Sequence, residues 1–97
     1  MVKGKTPSGF KFAIDEAIKT DWLLIKSLKE SESDNLDKRL SATIHLVSLL
    51  FGSDEKEQAY YDFVAPKHGG HVPYDVLRQD VTAIMQALNE SANDIKK

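Results

Sequence analysis

The segment from Leu36 to Phe51 limits what this chain can fold into more than any other. Its later part reads Ser41-Ala42-Thr43-Ile44-His45-Leu46-Val47-Ser48-Leu49-Leu50-Phe51, followed by Gly52. Wound as a helix, it sets Leu36, Leu40, Ile44, Val47, Leu50 and Phe51 on one side. Ala42, Leu46 and Leu49 carry the apolar surface past half the circumference, and Asp37, Lys38, Ser41, His45 and Ser48 share a narrow polar stripe. A helix apolar over most of its girth has to be covered by several neighbours at once. The segment therefore predicts a central helix enclosed by the rest of the chain.

Ninety-seven residues suit one domain with a modest core. The apolar fraction of 41% and charged fraction of 29% are ordinary globular values. A net charge of −2 lacks the basic surplus of a general nucleic-acid binder. With no cysteine, thiol catalysis, disulfides and thiolate metal sites are excluded. No apolar run approaches the roughly 18 residues of a membrane span, and the N-terminal residues are too polar for a secretory signal. The expectation is a soluble intracellular protein.

Ahead of the central helix, Phe10, Phe12 and Ile14 alternate at period two, which predicts a short half-buried strand. Val2 to Thr6 can pair with it across the Pro7-Ser8-Gly9 turn. Thr20 or Asp21 caps a helix from Trp22 to about Glu30, on which Ile18, Trp22, Ile25 and Leu28 continue one stripe. Trp22 is expected to anchor this helix to the central one; the alternative is an exposed aromatic that binds a partner. Asp34 or Asn35 caps the central helix, and Gly52 ends it in a left-handed conformation. Ser53 caps a third helix whose first turn carries Asp54, Glu55 and Glu57, with Ala59, Tyr60, Phe63 and Val64 as its apolar stripe. Pro66 and the Lys67-His68-Gly69-Gly70-His71 run stop it. Pro73 opens a last helix with Val76, Leu77, Val81, Ile84, Met85 and Leu88 inward over about four turns. The expected fold is mainly α: one compact domain over 1–97, four helices around the central helix near 36–51, and a short N-terminal strand or β-hairpin. Residues 1–8 and 90–97 are expected to be flexible.

Candidate chemistry is sparse. His68 and His71 sit two apart in a glycine-rich loop, but zinc wants three or four ligands, and an exposed turn explains the pattern better. His45 lies on the polar stripe of the central helix, where a half-buried histidine satisfied by a neighbour is expected rather than a general base. Neither a calcium loop nor a phosphate loop is present. No metal, cofactor or catalytic residue is assigned. The Phe51-Gly52-Ser53-Asp54 corner resembles that of a helix-turn-helix, but Asp54, Glu55 and Glu57 would lead into DNA and repel phosphate. Nucleic-acid binding is accordingly disfavoured.

The ordered set of short motifs does have a counterpart. Gly9-Phe10-Lys11-Phe12-Ala13-Ile14-Asp15, Asp21-Trp22-Leu23-Leu24, Leu49-Leu50-Phe51-Gly52 with Ser53-Asp54-Glu55, and Gly70-His71-Val72-Pro73 follow in turn. Together, over roughly Gly9 to Leu88, they resemble the small tail assembly chaperones of long, non-contractile-tailed bacteriophages and prophages. The resemblance implies a protein that is not an enzyme. It would bind and solubilise the tape measure protein, recruit tail tube protein subunits, act in the bacterial cytoplasm and be absent from the mature virion. Members are often also made in a longer frameshifted form, with which the Lys96-Lys97 ending is compatible. A helix-in-groove contact of this kind needs apolar surface. Trp22, Leu46, Leu49, Leu50, Val81 and Met85 are the candidate protein-binding or self-association residues. The competing reading, favoured for most of them in so small a chain, is that they fill the core. Beside the chaperone stands a second class of function, a small helical adaptor or regulatory domain, with the helix-turn-helix-like Gly52 corner as its route to nucleic acid.

Overall fold

The computed structural model describes residues 1–95, with side chains as far as Glu90. Among these residues there are four α-helices and one two-stranded antiparallel sheet. In chain order they are β1 (Val2–Lys5), β2 (Lys11–Ile14), α1 (Trp22–Glu30), α2 (Leu36–Phe51), α3 (Asp54–Val64) and α4 (Tyr74–Ile95). Short 3-10 segments cover Glu16–Thr20 and Ala65–His68. The chain divides into two compact units, one built from Met1–Glu16 with the residues from Gln58 onward, the other from Ala17–Glu57.

In the first unit β1 and β2 form the hairpin that the alternation predicts. Thr6 N–H donates to the Phe10 carbonyl at 2.8 Å, and Gly9 N–H donates back to the Thr6 carbonyl at 2.8 Å. The second bond closes a turn with Pro7 at its first central position, where a fixed φ suits it, and Gly9 at φ 98°. Val2 pairs with Ile14, Gly4 with Phe12 and Lys5 with Lys11. Val2, Phe12 and Ile14 face inward and are buried. Gly4 is required by its partner: a Cβ there would lie 2.7 Å from the tip of the Phe12 ring. The ring occupies the place a side chain would take. β1 packs on α4, whose Val81, Ile84 and Leu88 are buried together with Tyr60 and Val64 of α3.

The second unit is a helical hairpin in which α1 packs against α2. Asp21 caps α1, its carboxylate accepting from Leu23 N–H at 2.7 Å. Asn35 caps α2, accepting from Lys38 N–H at 3.2 Å. Gly52 ends α2 at φ 81° with its N–H on the Ser48 carbonyl, and Ser53 Oγ accepts from Lys56 N–H to start α3. Each cap is one of the residues the sequence nominates.

Several expectations need correction. First, α2 is not enclosed along its whole apolar side. Ala42, Thr43, Leu46, Val47, Leu50 and Phe51 are buried, but Leu36, Leu40 and Ile44 are exposed. Val47 and Phe51 continue the same row and are buried, so the row is covered toward Gly52 and bare over its first half. Second, Trp22 is exposed, not an anchor. Third, α4 runs on as helix to Ile95, through much of the polar stretch expected to be flexible. His45, expected half buried, is exposed. Val2–Lys5 of the supposedly flexible 1–8 segment forms a strand, whereas Lys96-Lys97 lies outside the described residues.

Candidate functional site

The six candidate binding residues fall into three groups. Leu46, Leu50 and Val81 are buried and offer no surface to a partner. Leu49 and Met85 are half-buried. Trp22 alone among them projects fully, at 70% exposure.

Other large apolar side chains are also exposed on the two helices. Leu23 and Ile25 of α1 are exposed beside Trp22 in the chain. On α2 the row Leu36, Leu40 and Ile44, at 55%, 39% and 68% exposure, follows an i, i+4, i+8 spacing. Single exposed apolar residues are ordinary, but three on each helix of one packed pair are more than scatter. The caps hold both helices from their first residues, so Trp22 and Leu36, each the first residue of its helix, are placed on fixed backbone. These six side chains supply apolar surface on the two helices.

A concentrated polar constellation lies in the other unit. Asp80, 1% exposed, accepts from Ser8 N–H at 3.2 Å through one carboxylate oxygen. The other oxygen accepts from Ser8 Oγ and from Tyr60 Oη, each at 2.6 Å. Thr6 Oγ1 lies 2.9 Å from Ser8 Oγ and accepts from Phe10 N–H at 3.1 Å. Lys67 Nζ donates to the Ser8 carbonyl at 3.0 Å while resting 3.9 Å above the Phe63 ring. Phe10 meets Tyr60 and Phe63 edge-on. Burial first, and then the hydrogen bond and charge of Asp80, push the Tyr60 hydroxyl well above the usual tyrosine range. A buried carboxylate must be satisfied, and here both oxygens are. The cluster pins the hairpin turn to α3 and α4. Sequence reasoning missed it, although an aspartate between Leu77 and Val81 on the inward face of an amphipathic helix was a usable signal.

His68 and His71 are exposed, and among the described residues no group of three or more possible metal ligands comes together. At the Gly52 corner Asp54 and Glu55 are exposed, and Glu57 accepts from Ser48 Oγ at 2.9 Å. Among the described residues no helix is long and apolar enough to cross a membrane. No family model matches the chain, and no curated protein or solved structure matches it significantly.

Proposed function

We propose that this chain is a tail assembly chaperone of a long, non-contractile-tailed phage, a binding protein and not an enzyme. In this reading it holds the helical tape measure protein in soluble form and brings tail tube subunits to it. It works in the cytoplasm of the bacterial host and is left out of the finished virion. Support comes from the ordered motifs between Gly9 and Leu88 and, above all, from one observation. The α1–α2 hairpin carries Trp22, Leu23, Ile25, Leu36, Leu40 and Ile44 on its surface. A long amphipathic helix offers the complementary stripe, with anchors at i, i+3, i+4 and i+7. Tryptophan is among the residues that most often carry the affinity of such contacts.

Co-expression tests the reading directly. The tape measure protein should be soluble beside the wild-type chain and insoluble beside Ile44→Asp or Trp22→Ser, with both variants folded by circular dichroism. A tape measure protein equally insoluble with and without the wild-type chain would refute it.

A further inference from the structure

The β-hairpin carries a second surface, unrelated to the apolar one on α1 and α2. Its outward residues are Lys3, Lys5, Lys11 and Ala13, all exposed, and with Gly4 and Phe12 they line a shallow depression. Lys5 and Lys11 are direct cross-strand partners. Since Thr6 and Phe10 form a hydrogen-bonded pair, alternation makes Lys5 and Lys11 a non-hydrogen-bonded pair, the kind whose side chains stand closest. Like charges in that position destabilise a hairpin. Neither strand contains an acidic residue, and among the described residues none of the three lysines has an ion pair. The charge is therefore uncompensated within the hairpin.

We propose that this face binds an extended acidic segment of a protein partner, its alternate carboxylates meeting Lys3, Lys5 and Lys11. An extended chain repeats on one face every ~6.8 Å, the same spacing that separates Lys3 from Lys5 along β1. Nucleic acid fits less well. The chain is net negative, and Phe12, the aromatic of the hairpin strands, points inward and offers no base a stacking surface. The inference does not rest on the chaperone reading. Lysines on a small sheet also discourage edge-to-edge pairing, and the experiment separates the two roles.

The probe is a short fluorescein-labelled peptide of alternating threonine and glutamate, titrated with the full chain and followed by anisotropy. Binding is expected, and it should weaken at least about tenfold between about 50 and about 300 mM salt. Lys5→Glu and Lys11→Glu should each lose at least about tenfold in affinity while melting no lower than wild type, because each replaces a like-charge pair with an opposite one. Lys3→Gln combined with Lys5→Gln removes charge without reversing it and should also lose binding. The proposal is overturned if the wild type does not bind the peptide or if the folded charge variants bind it equally well. It is overturned too if a thymidine oligonucleotide of the same length binds more tightly, or if the lysine variants differ from wild type only in aggregating.

Discussion

Asp80 shows how one buried charge can hold a small unit together. Its carboxylate takes three hydrogen bonds from two other segments, so Asp80→Ala strands the Tyr60 and Ser8 donors. Each stranded group costs about 1–3 kcal/mol, and the expected loss is roughly 3 kcal/mol, measured by urea denaturation. Tyr60→Phe removes one charge-assisted bond and should cost about 1.5–3 kcal/mol. Tyr60 also sets an alkaline limit. Its folded pKa is raised, so its contribution is fully present below the ordinary tyrosine value of 10.0 and is lost as pH rises above it. The urea midpoint of the wild type should fall more steeply above pH ~10 than that of Tyr60→Phe; parallel curves would contradict the assignment. Trp22, in the other unit, should fluoresce like indole in water and be readily quenched by iodide.

At the scale of elements, local chemistry does most of the work. Gly52 closes α2 at φ 81° with nothing within 4 Å of the place a Cβ would take, so the cost of replacing it is purely conformational. Gly52→Ala should cost about 1 kcal/mol, and Gly52→Asn less, since asparagine tolerates the left-handed region. A thermal melt of the two variants reads that order. Gly4→Ala is a different case, because the obstacle is the buried Phe12 ring. It should destabilise by about 1–3 kcal/mol through overpacking, and adding Phe12→Leu, with its smaller side chain, should relieve part of that loss. The strand alternation, the Pro7-Ser8-Gly9 turn, Asp21, Asn35 and Gly52 were all legible because each acts within a few residues of itself.

Over the whole molecule, the polar cluster and the exposed apolar residues lie in different units. Stability and partner binding should therefore separate under mutation. Ile44→Asp replaces a side chain 68% exposed and should shift the unfolding free energy by no more than about 0.5 kcal/mol, whereas Leu40→Asn, at 39% exposure, should cost about 1 kcal/mol. If the chain is the chaperone proposed above, both should abolish solubilisation of the tape measure protein, read from the soluble fraction in co-expression. Asp80→Asn should show the reverse pattern, with a lower melting point and partner binding retained below it. Element order, the capped helix ends, the hairpin and the mainly helical class followed from the sequence, because periodicity, caps and turns are local. Which part of the apolar girth of α2 was covered did not follow, since a wheel counts apolar positions but not the neighbours that meet them. Burial of Leu46 and Leu50, exposure of Leu36, Leu40 and Ile44, and the convergence of Ser8, Tyr60 and Asp80 were decided by tertiary packing. Such contacts join residues as many as 72 positions apart, a distance over which no local pattern carries information.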